Sequence, residues 1–188
     1  MPKLLLHICC GPCASFPVPE LMGQGYDLMG CFSNSNIHPY TEYLKRREGV
    51  EIYARTVGLP VIYDDEYNPA DYFQLVAHRE AQRCSYCYIM RLEKAAQIAR
   101  KGKFDLFSTT LLVSPMQKHD QIKELGEAIG EKYGVPFLYQ DFRPGYRETV
   151  QRSREMNLYR QQYCGCLYSE LERYRGHTPK NGKAGRES

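Results

Sequence analysis

Tryptophan is absent from this 188-residue chain, and so is any apolar run long enough to cross a bilayer. A membrane helix needs about 20 such residues, and the run that opens at Leu4 meets Gly11-Pro12 well before that. No secretory leader can be read either: only Lys3 precedes the apolar start, and no small-residue cleavage site follows it. These absences predict a cytoplasmic protein without a membrane partner, in a compartment where thiols stay reduced. No strong charge of one sign is present. The net charge of +3 permits a nucleic-acid partner without demanding one. Internal repeats and a clear linker are lacking too, so residues 1–175 are expected to form a single α/β catalytic domain. From Arg173 on, five cations (Arg173, Arg175, Lys180, Lys183 and Arg186) are scattered among Gly, Pro, Asn and Ser. Residues 176–188 are therefore expected to be a basic, disordered tail.

What the chain does have is cysteine. Seven of its eight cysteines fall in three clusters: Cys9, Cys10 and Cys13, then Cys84 and Cys87, then Cys164 and Cys166. In a reducing compartment such clusters point to metal or redox chemistry rather than to structural disulfides. Cys31 stands alone in an apolar stretch and reads as core packing.

Apolar runs bounded by Gly and Pro predict strands over 3–9, 26–32, 61–63, 104–110 and 135–138. Between them, helical composition predicts helices over 14–24, 42–57 with Thr41 as N-cap, 69–82, 88–101, 117–133 and 147–158. Strands alternating with helices imply an α/β fold with a three-layer parallel sheet. Loops 9–13, 33–40, 108–115 and 140–146 each follow a strand, so they should share the carboxyl edge of the sheet, where ligands sit.

The cysteine clusters suit metal binding. A CxxC at a helix start grips one ion or cluster, and four thiolates hold a [4Fe–4S] cluster. Seven exceed that need and leave three for a second metal or a redox pair. Side chains of adjacent residues diverge in extended backbone, so Cys9 and Cys10 are expected to serve different centres. A structural zinc site and a thioredoxin-like CxxC are the competing readings, and spacing alone does not separate zinc from iron–sulfur. Among other residues, His38 in the polar loop is the candidate for acid–base work, while His7, inside the first strand, reads as a satisfied core group. Arg143, Tyr146 and Arg160 are candidates for binding phosphate or a base. Tyr159, Tyr163 and Tyr168 are either core aromatics or a stacking platform. Asp64-Asp65-Glu66 reads as a solvated turn.

At these residues the chain resembles the QueH family of cobalamin-independent epoxyqueuosine reductases. The likeness is carried by Leu5-Leu6-His7-Ile8-Cys9-Cys10-Gly11-Pro12-Cys13, Asn36-Ile37-His38-Pro39-Tyr40 with Glu42-Tyr43, and Arg83-Cys84-Ser85-Tyr86-Cys87-Tyr88 with Arg91-Leu92. Thr109 to Pro115 and Tyr159 to Cys166 complete it. The resemblance covers roughly residues 3–170 and implies an adenine-nucleotide-α-hydrolase-like fold of the HUP, Rossmann-like kind. It further implies reduction of epoxyqueuosine to queuosine at the wobble position of tRNA, with a [4Fe–4S] cluster, an adjacent mononuclear iron and an external electron donor. All seven clustered cysteines are then metal ligands, with Cys84 and Cys87 assigned to the cluster, and His38 or a nearby tyrosine supplies a proton. Two alternatives belong to other classes. One is an iron–sulfur tRNA thiolase of the pyrophosphatase-loop type, although Pro12 removes an amide that a phosphate loop needs. The other is a zinc-stabilised RNA-binding module.

Overall fold

The structure, a computed structural model, describes residues 1–175; the expected basic tail at 176–188 lies outside the described residues. Four parallel strands form its sheet: β1 (Lys3–His7), β2 (Asp27–Phe32), β3 (Val61–Tyr63) and β4 (Leu106–Thr109), in the order β3-β2-β1-β4. β1 is central, paired with both β2 and β4. Its residues Leu4, Leu5, Leu6 and His7 are wholly buried, which is why the strand reads as a continuous apolar run rather than an alternating one.

Among the described residues, eight helices connect and cover the strands: α1 (Gly11–Ala14), α2 (Pro17–Gly23), α3 (Tyr40–Val57), α4 (Pro69–Val76), α5 (Arg83–Lys101), α6 (His119–Tyr133), α7 (Tyr146–Glu155) and α8 (Leu167–Tyr174). Short 3-10 turns at 80–82, 110–113 and 143–145 join them. Among the described residues, no helix is long and apolar enough to cross a membrane. The loops that follow β1, β2 and β4 emerge at one edge, as parallel strands require.

Several boundaries differ from those expected, each for a local reason. The expected fifth strand at 135–138 shrinks to a single bridge between Phe107 and Phe137, because Ser108 Oγ takes the Leu138 carbonyl at 2.8 Å and ends the ladder there. The expected helix at 14–24 is two helices. Pro12 lies in the first turn of α1, where its missing N–H costs nothing, and Pro17 starts α2. Pro39 rather than Thr41 occupies the N-cap position of α3. The expected helix at 69–82 stops at Val76, and His78 turns the chain with φ +60°. α5 starts at Arg83, so Cys84 and Cys87 lie within its first turns rather than before it. Helix α8, directly after Cys166, was not anticipated.

Gly11 fixes how closely α1 approaches α3. A Cβ at this position would stand 2.4 Å from the Gly49 carbonyl oxygen, a backbone atom that cannot swing aside. Gly11→Ala should therefore cost about 1–3 kcal/mol of stability, seen as a lower midpoint in urea unfolding; an unchanged midpoint would show that the two helices have slack.

Candidate metal centre

β1 ends at His7 and the chain bends at Cys9, so the three following cysteines curl over the sheet edge. Cys10 is the N-cap of α1, and its sulfur accepts the Cys13 amide at 3.4 Å. Cys9 Sγ lies 3.8 Å from Cys10 Sγ, and the sulfurs of Cys9, Cys10 and Cys13 all fall within 4.8 Å of one another. The expectation that Cys9 and Cys10 diverge toward separate centres is overturned: the bend breaks the strand alternation, and both sulfurs face one point. Thr110 at the end of β4 steadies Cys9, accepting its amide at 3.1 Å and donating to its sulfur at 3.4 Å. Hydrogen bonds from Cys10 and Cys13 pull the Cys9 thiol well below its ordinary range, while the same contacts push Cys13 up and burial pushes Cys10 up. The triad thus favours one thiolate, and its three sulfurs stand close enough together to hold one metal ion.

The other four clustered cysteines form a looser group. Cys87 is buried in α5, Cys84 lies one turn before it, and the loop 163–166 carries Cys164 and Cys166 across from α3. The charges of Cys164 and Cys166 bear on both Cys84 and Cys87. Burial and then these neighbours push the Cys87 thiol up to about 12, with Arg91 opposing. At Cys166 burial is outweighed by hydrogen bonds from Ser169, and the thiol is lowered. Amide donors reach the sulfurs here as well: Asn36 Nδ2 is 3.0 Å from Cys87 Sγ, and Gln117 Nε2 is 3.3 Å from Cys164 Sγ. In the triad, Gln161 Nε2 is 3.1 Å from Cys10 Sγ.

Loop 163–166 has no ladder to hold it. Arg46 of α3 does so instead, donating to the Tyr163 carbonyl at 2.9 Å and the Cys164 carbonyl at 2.8 Å. Its Nε pairs with Glu42 at 2.7 Å, and both side chains are buried. Tyr159 Oη closes the far side of Glu42 at 2.5 Å. Gly165, at φ +146°, bonds its carbonyl to the His38 amide at 2.8 Å. A cavity of about 520 Å³ lies over this loop, and Cys9, Cys13 and Cys164 all line it.

Buried polar atoms without partners gather at the same place. Among the described residues, Arg91 Nη1, Gln161 Oε1 and both ring nitrogens of His38 find none. Such atoms are rare in folded proteins. Arg91 bears electrostatically on Cys87, Cys9, Cys164 and Cys166, so the unmatched donor and positive charge belong to the cysteine site. A thiolate-bound anionic group would give the Arg91 donor and charge their partner, so the residues present fit one.

The remaining candidates sort differently. His7 is a core group, with Nδ1 2.9 Å from Thr109 Oγ1 and Nε2 3.2 Å from Asn34 Oδ1. Cys31 is buried in β2, and burial raises its thiol to about 12. His38 is not on an open loop: it is 4% exposed and stacked on Phe73 at 4.7 Å. Burial, then the charge of Arg91, pushes it down to about 4, so the ring is neutral near pH 7 and is no ready acid. Arg143 is taken up by Asp141, with contacts of 2.8 and 2.6 Å. Tyr146 lines the cavity, and Arg160 is exposed. Tyr159 and Tyr163 are tied by their hydroxyls to Glu42 and the His38 carbonyl, and Tyr168 packs against the core under Arg83; none is a free stacking platform. Sequence reasoning assigned no role to Arg46, Arg91, Gln117 or Gln161. Arg91 sits on the core-facing side of the amphipathic helix α5, and that misplaced charge was its signal; Arg46 lies in α3, whose sequence has no marked apolar face to betray it.

The family model for "Epoxyqueuosine reductase QueH" matches residues 4–172. Proteins of that name are similar along nearly their whole length. The one from Dehalococcoides mccartyi is 38% identical over 92% of this chain and 95% of its own. The one from Thermotoga maritima is 38% identical over 98% and 99%, and that from Staphylococcus aureus is 34% identical over 91% and 77%. A solved structure of a predicted subunit of tRNA methyltransferase from Methanocaldococcus jannaschii superposes with a TM-score of 0.54 at 15% identity, over 82% of this chain and 75% of that one; the likeness is one of fold.

Two outcomes follow from the site's wiring. Arg46→Met strands the Glu42 charge in the interior and releases the loop, so it should cost about 3–5 kcal/mol, read from urea unfolding; a loss below about 1 kcal/mol would mean that Glu42 is not effectively buried. For His38, the folded pKa lies below the unfolded value of about 6.5, so the unfolded chain takes up the proton first and stability falls as pH drops from about 6.5 to 4. His38→Phe removes this contribution, and its loss of stability between pH 7 and 4.5 should be smaller than the parent's by about 2–3 kcal/mol. Parallel curves would contradict the burial of the ring.

Proposed function

Because the chain belongs to the epoxyqueuosine reductase QueH family, we infer that it is an oxidoreductase that converts epoxyqueuosine to queuosine at the wobble position of tRNA. The overall change breaks both C–O bonds of the epoxide. It takes two electrons and two protons and yields an alkene and water. The electrons come from an external one-electron donor.

We assign the seven clustered cysteines as the ligands. Cys84, Cys87, Cys164 and Cys166 match in number what a [4Fe–4S] cluster takes, and the compact triad of Cys9, Cys10 and Cys13 suits a single iron. Bound there, these groups supply single-electron transfer and a Lewis acid for the epoxide oxygen. The observation that carries the reading is the shared cavity, which brings Cys9, Cys13 and Cys164 to one wall.

The chain's own residues then act as follows. Arg46 and Gly165 hold the last cysteine loop in register with the triad. Gln161 orients the Cys10 and Cys13 sulfurs. Tyr146, Gln162 and Arg173 line the cavity and offer a ring face, an amide and a cation to an unstacked nucleoside and its phosphate, the means by which single-stranded RNA is read. Arg160 is exposed close by in sequence and adds a phosphate contact. His38, neutral and enclosed, holds the Tyr163 hydroxyl and the Gly165 carbonyl through its backbone. The Tyr146 hydroxyl is the proton source of this reading, since it reaches the cavity where the His38 ring does not.

The test is anaerobic reconstitution with iron and sulfide, incubation with tRNA bearing epoxyqueuosine and a strong reductant, and mass spectrometry of the nucleosides. The expected result is loss of one oxygen atom without cobalamin or ATP. Cys13→Ser should lower turnover by at least about tenfold, and Tyr146→Phe should lower it while sparing iron content. An unchanged nucleoside with an intact iron–sulfur protein would reject the reductase; a colourless protein holding stoichiometric zinc would point to a structural module instead.

A further inference from the structure

Asn36 lies in the loop after β2 and is 1% exposed. Arg91 Nε donates to its Oδ1 at 2.9 Å. Arginine carries only donors, so the amide oxygen must face Arg91 and the amide nitrogen must face away. In that direction stand Cys87 Sγ at 3.0 Å and the Cys87 carbonyl at 3.4 Å. Both amide hydrogens are thus committed to one cysteine, and the amide cannot flip without setting its nitrogen against the guanidinium. The other amide donors are held less strictly. The Gln117 oxygen takes the Tyr88 hydroxyl at 2.9 Å, a group that can accept as well as donate, and the Gln161 oxygen has no partner to fix it.

We propose that Asn36 is a positioning residue for the redox centre: held by Arg91, its N–H draws charge from the Cys87 sulfur and makes the centre that Cys87 ligates easier to reduce. Hydrogen bonds to ligating sulfurs are among the levers that set such potentials, and partners of ligands orient them. Arg91 serves twice, by its charge directly and by its grip on the amide. The inference rests on the reading that Cys87 holds a redox-active iron centre.

The experiment is a redox titration of the reconstituted holoprotein, followed by electron paramagnetic resonance, with iron and sulfide content measured in parallel. Asn36→Ala should shift the midpoint potential to more negative values at unchanged iron content. Arg91→Lys keeps the charge but loses the Nε grip, and should shift it the same way by less. The double variant should match Asn36→Ala alone, since the grip acts through Asn36. An unshifted potential in a fully loaded Asn36→Ala protein, or fully additive shifts, would overturn the proposal. If Asn36→Ala fails to keep its iron, the wild-type holoprotein labelled with amide ¹⁵N asparagine decides: electron–nuclear double resonance should find an asparagine nitrogen coupled to the reduced centre, and no coupling would overturn the proposal. A wild-type chain that takes up no iron overturns the metal reading itself, and iron analysis tells that failure apart.

Discussion

The buried guanidinium of Arg46 is what lets this fold have a site at all. Two of the three cysteine clusters ride on regular structure, one at the turn from β1 into α1 and one in the first turns of α5. The third rides on the loop 163–166, which has no ladder and meets a helix only at Cys166, the N-cap of α8. Arg46 replaces that missing framework with side-chain bonds to the carbonyls of Tyr163 and Cys164. Such an arrangement is costly to desolvate and stands only when its donors are matched. Here Glu42 takes Nε, and Tyr159 takes the second carboxylate oxygen. The lock is closed on the protein side, so the loop is in place before any metal arrives.

Arg91 is the complement of that arrangement. It is as deeply buried as Arg46, yet it forms no ion pair among the described residues, and one of its nitrogens is unmatched. A lone buried cation of this kind is unfavourable unless negative charge stands near it. Its electrostatic neighbours are Cys9, Cys87, Cys164 and Cys166, from both cysteine groups. The arginine and the thiolates therefore form one unit. The positive charge is stored in the protein, where it favours the anionic form of the cysteines around it. Asn36 passes part of that positive field to Cys87 in the form of an oriented amide.

How much of this was legible in the sequence depends on which force decided each element. The apolar run from Leu4 and the alternation of elements announced a parallel sheet with a working edge, because buried parallel strands have little choice of composition. The start of α5 was misplaced since Gln82 provides no cap bond, and burial of Cys87, Tyr88 and Arg91 overrode the local signal. Helix α8 did leave a trace, with Leu167, Leu171 and Tyr174 at helical spacing, but their face stays exposed and no core contact singles it out. The metal-site clusters were visible as spacing. Their division into a compact triad and a wider four was not, because it turns on the bend at Cys9 and on the Arg46 contacts, which link residues 117 and 118 positions apart. The burial of His38 was hidden for the opposite reason: a polar loop sequence gives no hint of Tyr72 and Phe73 of α4 packed against its ring.

The central claim is that the seven thiols form two separate binding sets in one site. Mössbauer spectroscopy of protein reconstituted anaerobically with ⁵⁷Fe and sulfide tests it most directly. The expected spectrum contains a four-iron cluster component and a distinct single-iron component, and Cys13→Ser removes the second while leaving the first. A single iron environment in the parent protein, or loss of both components together in the variant, would contradict the division of the cysteines into two sets.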